Sequence, residues 1–370
     1  MASRFWPKLY VTALAAPSLL LAGRRSRPES VRRVLIAHHL LLGDTIMLAP
    51  LIKKARLRFP QAEIVMACPR AYAPIFAHKP YGATALPFDP RSLADHVAMR
   101  RQRGFDLALV PGDNRWSWLA RMLKARWIVA FAPERRGYKD WPVDEFVPMP
   151  QEPLAWGDIA ARLLAGDEPP GYDPADWPAP PCAPYARPER PYCVLHLGAS
   201  SPHKWWPAER WRALLDWAEQ RELAVVVSTG RGEEDLARAV DPEGRHSGLA
   251  GRLDLAQLWD LLQHAQFIVC PDTGVAHLAR LAGVPTVALY GPGSPRATGP
   301  GRFWAASPFR ALWDPEVPCR DQDRLFGRQV AWMRQCWRTA AECGDPVCMR
   351  HIAFEQVISA VDALLAARAH

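Results

Sequence analysis

Short apolar runs recur along the chain, each closed by a turn residue and followed by a stretch with apolar positions at helical spacing. In the first half they fall at 33–38, 63–68, 106–110 and 127–131. In the second half they fall at 192–197, 224–228, 267–270 and 286–290. Runs this short, bounded by Gly, Pro or Asp, read as strands buried on both faces. The interleaved helical stretches then predict parallel crossover units, and so an α/β protein with two Rossmann-like halves. The clearest unit is 264–300. A strand over 267–270 leads through Pro271-Asp272 into a helix over 273–282, which ends at Gly283 before the strand over 286–290. Asp272 is placed to cap that helix, and Gly274 to let a ligand approach the backbone. In the first half, Pro50 falls inside a helical pattern that runs to Phe59 and should delay or kink it.

Proline density changes the picture of the middle. Residues 167–191, DEPPGYDPADWPAPPCAPYARPERP, read as a linker. The expected division is an N-terminal extension over 1–30, one Rossmann-like domain over 31–180, a second over 181–350, and a closing amphipathic helix over 351–370. The extension carries Arg4 and Lys8, an apolar stretch over 9–22 broken by Pro17, then Arg24, Arg25 and Arg27. It has the charge-then-apolar plan of a signal peptide and falls short of the roughly 20 apolar residues of a membrane span. The reading favoured here is an interfacial helix on an anionic leaflet, the alternative a flexible extension.

With 370 residues the chain can fill two cores. Its net charge of +8 points to an acidic partner: a nucleotide, a phosphorylated glycolipid, an anionic membrane surface or nucleic acid. Eight cysteines need not form a disulfide framework at this length. Cys336, Cys343 and Cys348 cluster late with Cys319 before them, but no CxxC pair is present and no metal ligands are assigned.

Candidate chemistry gathers in loops that follow strands. Loops 198–204, 229–234 and 271–277 offer Ser200 and Ser201, Lys204, Glu233 and Glu234, and Asp272, Thr273, Gly274 and His277. Hydroxyls, backbone amides at a helix start, one cation and a carboxylate suit a nucleoside diphosphate. The chain has no GxxxxGK[ST] loop and no GxGxxG after its first strand. Asp321-Gln322-Asp323 lacks a preceding strand and reads as a surface loop. In the first half, Gly43-Asp44-Thr45 sits where the first strand turns into helix, so Asp44 is either a helix cap or a general base.

Three segments resemble glycosyltransferase family 9, the lipopolysaccharide heptosyltransferases. They are VLIAHHLLLGDTIMLAPLIKKARLRFPQAEI, LHLGASSPHKWWPAERW and PDTGVAHLARLAGVPTVALYGPGSPRATGP. The tail CGDPVCMRHIAFEQVISAV resembles the family's cysteine-bearing end. The resemblance implies a GT-B fold, two Rossmann-like domains facing a central cleft, with the acceptor side in 31–180 and the donor side in 181–350. It implies heptose transfer from an ADP-activated donor to a lipid-linked core glycan, with inversion and with no cofactor or metal required. By motif position Asp44 is the base, flanked by Gly43 and Thr45, and Lys204 holds the diphosphate beside Ser200 and Ser201. Asp272, Thr273, Gly274 and His277 line the donor, and Glu233 or Glu234 takes the ribose. His38-His39 stand where members often carry a charged or polar residue. A cytoplasmic enzyme, peripheral on the inner membrane and without a nucleic-acid partner, is the matching expectation. The alternatives are a GT-B enzyme with another nucleotide-sugar donor and a non-catalytic protein that binds anionic glycans.

Overall fold

The computed structural model describes residues 5–19 and 25–368. The chain folds into two compact units: Met1–Gly171 with Ala175–Pro178 and Arg324–Trp332, and Tyr172–Pro174 with Ala179–Asp323 and Met333–His370.

Unit 1 contains strands β1 (Arg33–Ile36), β2 (Glu63–Cys68), β3 (Ala83–Pro87), β4 (Leu107–Val110), β5 (Trp127–Phe131) and β6 (Glu145–Val147). They form one parallel sheet in the order β3-β2-β1-β4-β5-β6. The order reverses between β1 and β4, where Val34 pairs with both Ile64 and Leu107. Its helices are α1 (Phe5–Leu19), α2 (Leu42–Ile46), α3 (Ala49–Arg58), α4 (Leu93–Met99), α5 (Trp116–Met122) and α6 (Trp156–Ala161). The proline expected to disturb the first long helix does so. The pattern splits into α2 and α3, with Pro50 in the first turn of α3, where its missing N–H costs nothing.

The described N-terminal segment is a packed helix, not the flexible extension that was the alternative. α1 buries Pro7, Val11 and Ala15 at four-residue spacing, and Val11 and Ala15 join the core with Trp118, Leu119 and Ala120. Arg25 pairs with Asp144 at 2.6 Å, and Arg27 with Glu145 at 3.5 Å. These basic residues are therefore committed to the protein, and the described helix is a structural part of unit 1. Arg4, Arg24 and residues 20–22 lie outside the described residues. No described helix is long and apolar enough to cross a membrane.

A second difference is the return of Arg324–Trp332 to unit 1, although the expected boundary assigned it to the second domain. A two-stranded antiparallel hairpin pairs Arg324 with Gln329 and Leu325 with Arg328. Arg328 is buried and donates to the carbonyls of Gly112, Phe131 and Ala132 and to Asn114 Oδ1. A guanidinium supplies five N–H donors, so it can satisfy several strand-end acceptors that a loop alone would leave unpaired. The proline-rich stretch is likewise anchored rather than loose. Trp177 is buried in unit 1 and donates to Ile75 O at 2.7 Å. Tyr172 is buried in unit 2 and donates to Leu281 O at 2.6 Å.

Unit 2 contains β7 (Tyr192–His196), β8 (Ala224–Ser228), β9 (Ile268–Pro271), β10 (Thr286–Leu289) and β11 (Phe309–Leu312). They form a parallel sheet in the order β11-β10-β9-β7-β8, which reverses between β9 and β7. Helices α7 (Ala208–Glu219), α8 (Glu234–Val240), α9 (Leu255–Gln263), α10 (Gly274–Leu281), α11 (Pro295–Thr298), α12 (Val347–Arg350) and α13 (Phe354–Arg368) complete the unit. The closing helix α13 buries Val357, Val361 and Leu364 in the same core as Trp206, Trp211 and Trp217.

Candidate functional site

In open parallel sheets, ligands collect beyond the carboxyl ends of the strands where strand order reverses. In unit 2 that point is flanked by the loops after β7 and β9. Lys204 ends a single 3-10 turn, Pro202–Lys204, in the first loop. Its Nζ lies 2.8 Å from Asp272 O and 3.2 Å from Asp272 Oδ2, at the start of the second. Lys204 and Asp272 are thus brought together by topology from positions 68 apart. Asp272 is nearly buried, and a Cβ on Gly293 would collide with its Oδ2. Only glycine lets the loop after β10 pass this close. Thr298 Oγ1 lies 3.5 Å from Asp272 Oδ1. Gly293 and Thr298 went unassigned in the sequence, although both lie inside the GPGSPRATGP segment.

The cap of α10 is Thr273, not Asp272. Thr273 Oγ1 accepts from Val275 N at 3.1 Å, because the Asp272 carboxylate is already turned to Lys204. Gly274 is the first helical residue. His277, one turn inside, is buried, and its Nδ1 accepts from Arg280 at 2.6 Å. Burial first, then the positive charges of Arg280 and Lys204, hold its pKa well below the ordinary value of 6.5. It is a neutral imidazole at physiological pH.

The adjacent pair Glu233 and Glu234 point to different places. Glu233 Oε2 accepts from Gly230 N at 2.8 Å and lies so near Gly198 that a Cβ there would overlap it. Glu233 therefore sits between the loops that follow β7 and β8. Glu234 instead accepts from Gly232 N at 3.0 Å and packs against Gly251, whose φ of +68° favours glycine. Ser200 is exposed, and Ser201 Oγ is 2.8 Å from His203 Nε2.

In unit 1 the reversal point is β1/β4. Asp44 lies in the first turn of α2, half-buried, with Gly43 and Thr45 buried beside it. Thr45 Oγ1 donates to Leu41 O at 2.9 Å. The turn before it is held by His38, whose Nδ1 accepts from Leu40 N at 3.2 Å. Burial, then repulsion from His39, lowers the His38 pKa to about 3. Tyr72 is a neighbour the sequence did not flag. Its hydroxyl pKa is raised, by burial first and then by the Asp44 charge, while the Leu42 amide donates to it.

All eight cysteines are free thiols. Among the described residues no three His, Cys, Asp or Glu side chains converge as metal ligands would.

Two doubly wound α/β units, each with candidate loops at its switch point, define a GT-B glycosyltransferase fold. The chain belongs to glycosyltransferase family 9 (heptosyltransferase), whose family model matches residues 97–311, more than half of it. The matched span holds all three loops of unit 2 and begins after Asp44. The chain is 26% identical over 307 residues to lipopolysaccharide heptosyltransferase 1 of Pseudomonas aeruginosa, covering 72% of this chain and 81% of that protein. It superposes on the ADP-heptose LPS heptosyltransferase II of Escherichia coli with a TM-score of 0.67 at 20% identity, covering 92% of this chain and all of the other. The family 9 glycosyltransferase of Veillonella parvula gives 0.69 at 17% identity, covering 91% and 98%. The protein is a heptosyltransferase-like glycosyltransferase.

Proposed function

We propose that the enzyme transfers a heptose from an ADP-activated donor to a lipid-linked lipopolysaccharide core or related cell-surface glycan, with inversion and without an essential metal. The Lys204–Asp272 pair carries this reading. An ammonium has three N–H groups, and Asp272 takes two of them. The third is what a diphosphate oxygen would receive, steadying the charge that builds on the leaving ADP. The N-terminus of α10, opened by Thr273 and Gly274, adds backbone donors for the same anion. Glu233, between Gly198 and Gly230, takes the ribose hydroxyls in preference to Glu234, with Ser200 and Ser201 on the phosphate side. In unit 1, Asp44 removes the proton from the attacking acceptor hydroxyl, and Gly43 and Thr45 hold it in place. His277 acts from beneath by fixing Arg280 and the first turns of α10. The similarity to the ADP-heptose LPS heptosyltransferase II of Escherichia coli supports the donor. Placement at the cytoplasmic face of the membrane follows from such substrates.

The test pairs binding with turnover. ADP should raise the thermal midpoint while UDP, GDP and CMP do not, since only a ligand of the native state shifts it. Asp44→Ala should keep the ADP shift and lose transfer from ADP-heptose, in EDTA as in buffer. A variant that still turns over removes Asp44 as the base, and a shift with another nucleotide alone overturns the donor.

A further inference from the structure

Unit 1 contains a cavity of about 660 Å³ that reaches the carboxyl ends of β1 and β4. His39, from the loop between β1 and α2, and Asp113, after β4, contribute to its wall. Two helices that pack on each other line it, α1 through Pro7, Val11 and Thr12, and α5 through Trp116, Trp118 and Leu119. Phe326, at the tip of the hairpin that returns late in the chain, also lines it. The size is that of a site for a small organic ligand or one segment of a larger one.

Several polar groups of the wall are committed within the protein. Asp113 accepts from Arg115 and Lys139, which outweigh burial and hold its pKa at about 2. Trp118 Nε1 donates to Tyr138 O at 2.9 Å, and His96 Nδ1 to Ser92 O at 2.7 Å. Lys8 lies over the Tyr138 ring at 5.1 Å. The accessible wall is predominantly apolar, through Val11, Leu40, Trp116, Leu119 and Phe326 among others, and an aliphatic chain asks for apolar contact alone. The cavity also reaches the surface at an apolar place. Tyr138 and Trp141, both wall residues, are 49% and 64% exposed, and Phe5 and Trp6 on α1 are 61% and 63% exposed. Aromatic side chains exposed beside an apolar opening suit a ligand that enters from a lipid surface.

We infer that this cavity, walled by α1 and α5, binds an aliphatic chain of the lipid-linked acceptor. The inference rests on the proposed acceptor class and adds where its apolar part is held. The acceptor would be gripped through its lipid, leaving the glycan for the Asp44 side of the same unit.

The test uses the full-length protein and dodecanoic acid carrying a terminal diazirine, irradiated and mapped by peptide mass spectrometry. Label should fall in 5–19, 113–122 or 138–141. Thr12→Trp, which fills the cavity from α1, should remove it, as should Pro90→Trp from a separate loop if the first variant fails to fold. With lipid-linked acceptor, KM in the filled variant should rise about tenfold, the equivalent of one or two buried methylenes. Label elsewhere, no label, or label unchanged in both folded filled variants overturns the site. The labelling needs no turnover, so an enzyme inactive with ADP-heptose but labelled here would refute the proposed reaction and keep the cavity as an aliphatic-chain site.

Discussion

Lys204 and Asp272 meet through both the backbone carbonyl and the carboxylate of Asp272, at the point where the unit 2 sheet reverses its strand order. The pair has a structural side and a proposed catalytic side that can be separated. Lys204→Met leaves a nearly buried carboxylate without its cation, and Lys204→Met with Asp272→Asn removes that penalty. Thermal midpoints should fall in the single variant and recover in the double. Turnover should drop by about 10²–10³ in both, the usual scale for losing one preorganised donor to a developing anion. Recovery of turnover in the double variant would reduce the pair to scaffolding.

Glu233 and Glu234 can be told apart through their glycines. Gly198→Ala displaces the Glu233 carboxylate from the Gly230 amide and should raise KM for the nucleotide sugar about tenfold with little change in kcat. Gly251→Ala crowds Glu234 at a left-handed backbone position. It should cost about 1 kcal/mol of stability and leave donor KM alone. Steady-state kinetics on both variants decides between the two carboxylates.

Acid should destabilise the protein through its buried imidazoles. His38 and His196 have pKa values lowered by burial to about 3 and about 4. Below pH 6.5 the unfolded chain binds protons that the native state refuses, so stability falls as pH drops from about 6.5 towards 4 and is level above 7. Thermal midpoints in that range should trace this slope. His196→Gln, which can still bond Ser228 Oγ, should flatten it.

The packing of α1 makes a prediction free of any membrane. Val11→Asp places a carboxylate in the unit 1 core and should cost about 2–4 kcal/mol in plain buffer. Trp6→Asp, on the exposed face, should stay within about 0.5 kcal/mol of the wild type. Equal effects in urea denaturation would contradict the packing.

Much of the core was legible because its strands are buried on both faces. The runs at 63–68, 127–131 and 224–228 coincide with β2, β5 and β8. The strands that carried no signal are at or beside the sheet edges or very short. Ala83–Pro87 contains a proline, Glu145–Val147 has three residues, and Phe309–Leu312 includes an exposed arginine. Lys204, Asp272 and Asp44 stood out as candidates because each lies in a segment that follows a strand. Thr273 as the cap was not, because the choice between it and Asp272 depends on Lys204, 68 residues away. The fate of Arg25 was hidden in the same way, its partner Asp144 lying 119 residues downstream.

The hairpin around Arg328 also has a consequence for how the protein is made. The strands of unit 1 leave the ribosome before those of unit 2, yet the guanidinium that ties Gly112, Asn114 and Phe131 together is translated 216 residues after Gly112. Unit 1 cannot reach its final hydrogen bonding until most of the sequence of unit 2 has been synthesised. A gene cut at the proline-rich stretch would therefore yield a first half lacking its own closing clasp.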